Sequence, residues 1–141
     1  MGESYSFEHS IECPVSKEFA WSYWAEVSNW AFDSDIESIV LHGPFVEGTH
    51  GTTISRSSGR IEWVLSDVRG GESAVIEIAV PGGKARFKWT FEDRNGATRI
   101  TEQLSIGGEH AQALGEMLQS GIPAGMRKLG ENLRKAAKLE K

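Results

Sequence analysis

The chain has 141 residues, with 15 Lys and Arg against 20 Asp and Glu, a net charge of −5, 39% hydrophobic residues and one cysteine. That length suits one domain with a substantial core, here taken as residues 1–141, and the composition is that of a soluble globular protein. The acidic balance argues against a nucleic-acid partner, the lone Cys13 excludes an internal disulfide and a cysteine zinc framework, and no apolar run approaches the roughly 20 residues that span a bilayer.

In chain order, Met1 to Phe7 lacks a basic head followed by an apolar stretch, so no signal peptide is read and a cytoplasmic location is expected. Ser6 to Cys13 alternates strictly, with Phe7, His9, Ile11 and Cys13 on one face, which predicts a half-buried strand ended by Pro14. Ser16 stands where a helix N-cap belongs, and Phe19, Ala20, Tyr23, Trp24 and Val27 recur at helical spacing. Ser28 and Asn29 break that helix, and a second short turn carries Trp30 and Phe32 before Asp33, Ser34 and Asp35.

The middle of the chain reads as hairpins. Strands are predicted over Ser38 to His42, Thr52 to Arg56, Arg60 to Val68 and Ser73 to Val80, separated by turns rich in glycine, serine and proline. Lys84 to Glu92 alternates most cleanly, with Ala85, Phe87, Trp89 and Phe91 on one side. Asn95-Gly96 marks a tight hairpin turn, because a type I′ turn needs positive φ at both centres. The last strand, Ala97 to Ile106, puts Ile100, Glu102, Leu104 and Ile106 at one parity.

Such a sheet, apolar on one face, needs a cover. From about Glu109, Leu114, Met117, Leu118, Ile122, Met126, Leu129, Leu133 and Ala136 trace an apolar stripe at spacings of three and four. Gly121, Pro123 and Gly125 interrupt it, predicting a kink or break and a second helical stretch from Pro123 to about Ala137. Arg127, Lys128, Arg134, Lys135, Lys138 and Lys141, alternating with Glu131 and Glu140, read as the solvated face of that helix.

The chain resembles the START-like, or SRPBCC, superfamily in its polyketide cyclase/dehydrase branch, over about Phe7 to Ala137. The resemblance rests on Pro14 followed by Trp21-Ser22-Tyr23-Trp24, on Val27-Ser28-Asn29-Trp30 and on Asp33-Ser34-Asp35-Ile36. It rests also on the glycine-marked hairpin from Gly43 to Gly51, on Phe87 to Glu92 and Thr98 to Glu102 as last strands, and on Gly121 to Met126 as a kinked closing helix. It implies an α+β helix-grip fold: a seven-stranded curved antiparallel sheet, two short helices after the first strand, and a long kinked C-terminal helix over the concave face. It also implies binding of a hydrophobic or aromatic molecule between sheet and long helix, an inference from fold alone.

Small residues at Gly121, Ala124 and Gly125, facing large inward aromatics, are expected to leave a gap there. The expected lining is His9, Trp24, Trp63, Phe87, Trp89, Phe91, Glu102, Met117, Ile122 and Met126. Trp21, Trp24 and Trp30 either wall the open end of this cavity or wedge the short helices onto the sheet. His9 and Glu102 both sit at apolar parity, and in a helix-grip sheet their strands are neighbours, so they are the candidate acid–base pair. A structural polar pair is the plainer reading of the same two residues. His42, His50 and His110 are read as surface residues without metal-ligand spacing, and Cys13 as a small buried hydrophobe. No G-x-S-x-G elbow is present.

The leading expectation is therefore a binder of an apolar small molecule (a lipid, polyketide or aromatic metabolite), monomeric or homodimeric, with no cofactor, metal, nucleic-acid partner or membrane insertion. A cyclase or dehydratase using His9 and Glu102 is the second reading, and a protein-interaction module the third.

Overall fold

The computed structural model describes residues 3–30, 36–57, 59–80 and 82–139. Phe32, the Asp33-Ser34-Asp35 segment, Ser58 and Pro81, assigned above to turns, lie outside the described residues, as do Glu140 and Lys141. The elements are β1 (Glu3–Cys13), α1 (Lys17–Ala25), a 3₁₀ turn (Val27–Trp30), β2 (Ile36–Leu41), β3 (His50–Ser55), β4 (Gly59–Arg69), β5 (Ser73–Val80), β6 (Gly83–Arg94), β7 (Ala97–Gly108), α2 (Ala111–Gln119) and α3 (Ile122–Leu139). Each predicted strand is present, most of them longer than predicted because pairing extends regular backbone into the turns.

All strands pair antiparallel in one sheet of order β1-β7-β6-β5-β4-β3-β2. Consecutive hairpins build β2 to β7, and β1 closes the sheet by pairing with β7. Asn95 and Gly96 both have positive φ, 55° and 90°, as a primed hairpin turn requires. Two irregularities bend the sheet, one between Ile36 and Ser38 and one between Leu65 and Asp67. Ser66 is the extra residue at the second, and its buried hydroxyl has no partner among the described residues.

Ser16 caps α1 as its position predicts, its Oγ accepting from the Phe19 amide at 3.1 Å. The buried Thr98 hydroxyl donates to the Val15 carbonyl at 2.8 Å, tying the approach to α1 onto β7. The helix stops at Ala25, two residues earlier than the apolar spacing predicts. Its end is held by Asn29 Nδ2, which donates to the Tyr23 carbonyl at 2.8 Å.

The closing segment is two helices. Pro123 lies in the first turn of α3, where a missing amide costs nothing, whereas it would break the hydrogen-bond ladder of a continuous α2. α2 packs on β1 and β7, α3 packs on β1, and α1 packs on β6 and β7. Gly115 of α2 lies where a Cβ would collide with the Tyr5 ring, and a Cβ on Gly130 of α3 would sit 3.3 Å from Cys13 Sγ. These approaches draw the helices against the edge strand. Ile122, Met126, Leu129 and Leu133 seal that half of the sheet, leaving the basic side chains from Arg127 to Lys138 exposed.

Candidate functional site

Among the described residues, seven rings form one cluster over the concave face. Trp24 on α1 is its centre, with ring centroids 5.2 Å from Trp89, 5.3 Å from Trp30, 5.4 Å from Phe91, 5.5 Å from Phe45 and 5.7 Å from Trp21. Trp30, in the 3₁₀ turn, stands 5.3 Å from Trp63 of β4. The indole N–H of Trp30 donates to the Trp24 carbonyl at 2.6 Å, and that of Trp63 donates to Thr53 Oγ1 at 3.0 Å. Both polar tips are thus satisfied within the wall. Tilted and edge-on contacts of this kind add attraction beyond burial, and they fix the wedge to the sheet.

Between these rings and the strands lies a partly open pocket of about 260 Å³. Trp24 and Trp30 roof it, Trp63, Phe87 and Trp89 wall it, and Thr53, Ile61, Ile76, Ile78 and Glu102 complete the lining. Ile61, Ile78 and Phe87 also line an adjoining groove of about 470 Å³, which runs outward to Leu114 and Leu118 of α2, with Arg60 and Glu62 at its edge. An apolar trough therefore continues along β4 to β6, the part of the sheet that α3 leaves uncovered.

Among the described residues, Glu102 is the one titratable side chain in the inner pocket. Its neighbours at the same parity, Ile100 and Leu104, are fully buried, and Glu102 itself is only 8% exposed. Its carboxyl is pushed up to about 8 by burial, with no charge or hydrogen bond opposing that shift. The ladder places Glu102 opposite Trp89 on one side and opposite His9 on the other.

His9 and Glu102 are thus adjacent in register, as parity and strand order predict, but they line different spaces. His9 is half-buried in a separate groove of about 260 Å³ between β1 and α3, beside Glu12, Pro123, Arg127 and Arg134. The edge position of β1 is the cause: α3 lies over it on the face that His9 shares with Glu102, so the space beside His9 is bounded by α3 and not by the tryptophans.

Four further lining expectations are corrected. Phe91 is buried against Trp24 and Trp21 and belongs to the core, not to the pocket wall. Ile122 and Met126, the latter 1% exposed, are core residues beneath α3. Met117 is 62% exposed, because the buried face of α2 centres on Ala111, Gly115 and Leu118 and Met117 lies about a third of a turn away. The expected cavity beneath the C-terminal helix is therefore displaced: α3 contributes nothing to the tryptophan pocket, and the roof comes from α1 and the 3₁₀ turn.

Thr53, Ile61, Ile76 and Ile78 were not among the expected lining residues. Ile61 shares the parity of Trp63 and was legible on that ground, whereas Thr53 enters only because the ladder pairs it with Ile61. Trp24 and Trp30 serve in both roles weighed for them, as wedge and as wall, whereas Trp21 only wedges.

Elsewhere, His42, His50 and His110 are exposed, and His42 Nε2 lies 2.9 Å from Thr52 Oγ1 on the outward face. Cys13 is buried, and burial pushes its thiol up, with Arg134 opposing. A larger depression of about 490 Å³ lies on the outward face around Lys84 and Arg86, but both cations pair with Glu77, at 3.7 and 3.0 Å. Among the described residues no three His, Cys, Asp or Glu side chains converge as metal ligands, and no helix is long and apolar enough to cross a membrane.

No protein-family model matches the chain, and none of the curated proteins is significantly similar to it in sequence. Solved structures are similar over nearly the whole length. Ara h 8.0201 superposes with a TM-score of 0.76 at 13% identity, covering 94% of this chain and 99% of its own. A point mutant of norcoclaurine synthase from Thalictrum flavum, bound to a transition-state analogue, gives 0.78 at 9% identity, covering 97% and 98%. The Staphylococcus aureus protein of unknown function SA2116 gives 0.75 at 14% identity, covering 96% and 98%. At these identities the likeness shows the fold alone: the chain has the helix-grip fold.

Proposed function

We propose that this chain binds a hydrophobic small molecule in the tryptophan pocket, with the ligand's remainder lying along the groove toward α2. The observation that carries this reading is the lining: nine of the ten described residues there are apolar, aromatic or an occupied threonine, and one carboxyl stands among them. Concave, mostly apolar sites with few polar anchors are what small-molecule pockets look like. The START-like resemblance implies the same class of ligand, and a cytoplasmic setting and a monomeric or homodimeric state belong to the same proposal.

The cyclase or dehydratase reading needs His9 and Glu102 to act on one substrate, and their separate grooves take away its support. The interaction-module reading needs a contiguous exposed apolar patch, whereas Val40, Val46 and Met117 are the exposed large hydrophobics among the described residues and lie on β2, in the following loop and on α2.

The test is titration with 1-naphthalenemethanol, followed by tryptophan fluorescence. Saturable quenching with a Kd on the order of 0.1–1 mM is expected for a fragment of that size. Ile78→Trp, which fills the space shared by pocket and groove, should abolish it. Unchanged affinity in a folded Ile78→Trp variant would remove the pocket from the function.

A further inference from the structure

We propose that the ligand of the tryptophan pocket carries a protonated nitrogen, an ammonium on an aromatic or apolar body, seated between the Glu102 carboxyl and the indole rings. This rests on the binding reading above and narrows it to a chemical class.

Two independent features of the lining converge on a cation. The first is the carboxyl. Glu102 is buried, and among the described residues no side chain bonds or ion-pairs with it. A buried carboxyl without a partner is costly when ionised, so an empty site leaves it an acid with nothing to donate to. A partner arriving with positive charge would permit ionisation and complete a charge-assisted hydrogen bond in a low-dielectric setting.

The second is the rings. Trp89, Trp24, Trp30 and Trp63 follow one another at centroid separations of 5.2, 5.3 and 5.3 Å, all lining the same pocket. The N–H groups of Trp30 and Trp63 are already engaged, so these walls present π faces and edges instead of donors. The negative faces of tryptophan rings attract cations more strongly than those of other aromatics, and grouped rings are how ammonium ions are caged.

The surrounding charges leave room for this. Among the described residues, no cationic side chain inside the pocket competes for Glu102. His9, its neighbour on β1, opens into the groove under α3, and Trp89 on β6 and Trp24 on α1 bring no charge. At the far mouth of the adjoining groove, Arg60 is paired with Glu62 at 2.7 Å. A neutral ligand that merely accepts a proton from the acid would use the carboxyl but gain nothing from the four rings beyond apolar contact.

The experiment compares naphthalen-1-ylmethylamine with 1-naphthalenemethanol by calorimetry at pH 7, in two buffers of different ionisation enthalpy. The wild type is expected to bind the amine at least tenfold more tightly than the alcohol, with release of close to one proton per amine bound. Glu102→Gln should reduce that preference to less than about threefold while still binding the alcohol. Equal affinities, a preference for the alcohol, amine binding without proton release, or a preference that survives Glu102→Gln would each overturn the assignment. Should Glu102→Gln fail to fold, the wild-type proton count and affinity ratio decide it. Failure of both probes to bind wild type would overturn the binding reading itself, and this proposal with it.

Discussion

Glu102 owes its position to the period of two. With Ile100 and Leu104 buried on either side, the strand delivers its carboxyl to the apolar face, and only an outward bulge could have spared it. Burial then raises its folded-state pKa from the ordinary 4.5 to about 8. The stability this group contributes is complete below pH 4.5 and is lost as pH rises toward 8, since over that window the native state holds a proton that the unfolded chain has released. The slope is about 1.4 kcal/mol per pH unit. Glu102→Gln has no such loss, so its melting temperature relative to wild type should climb by at least about 5 °C between pH 5 and pH 8. Parallel melting curves for the two proteins across that range would show the carboxyl to be solvated.

At the scale of elements, the wedge of α1 and the 3₁₀ turn matters more than its length suggests. Nine residues make a marginal helix on their own, and α1 persists because Ser16 caps it and because Trp24 is buried on the sheet. Ser16→Ala should cost about 1 kcal/mol in urea unfolding. The same wedge roofs the pocket, so this variant should also weaken binding of 1-naphthalenemethanol; full stability would mean that the ring cluster alone holds the helix in place. The break between α2 and α3 works differently. By splitting the closing segment, Gly121 and Pro123 let α2 stand at the mouth of the groove through Leu114 and Leu118 while α3 seals β1.

For the whole molecule, the consequence is an asymmetrically covered cup. The β1 and β7 half is packed by helices, and the β4 to β6 half is left to the tryptophan roof and an open trough. Ligand should therefore protect one roof and not the other. In hydrogen–deuterium exchange, 1-naphthalenemethanol is expected to slow amides of residues 17–30 and leave α3 unchanged. Protection concentrated in α3 would place the site beneath the C-terminal helix after all.

Strand positions, the Ser16 cap, the Asn95-Gly96 hairpin and the break at Pro123 were legible in the residues, because periodicity, capping and turn chemistry are local and written in neighbouring side chains. The inward parity of Glu102, Trp63, Phe87 and Trp89 was legible for the same reason. Which of these line a space and which fill the core depends on where the helices come to rest, and that is set by contacts far apart in sequence: Gly115 against Tyr5, Gly130 against Cys13, Trp24 against Trp89. By itself the sequence determined the elements and the faces they present. Only the tertiary structure decided that α3 covers the edge strand, bounding the groove beside His9 and leaving the tryptophans to enclose the pocket, because layer packing is settled by non-local fit and not by period.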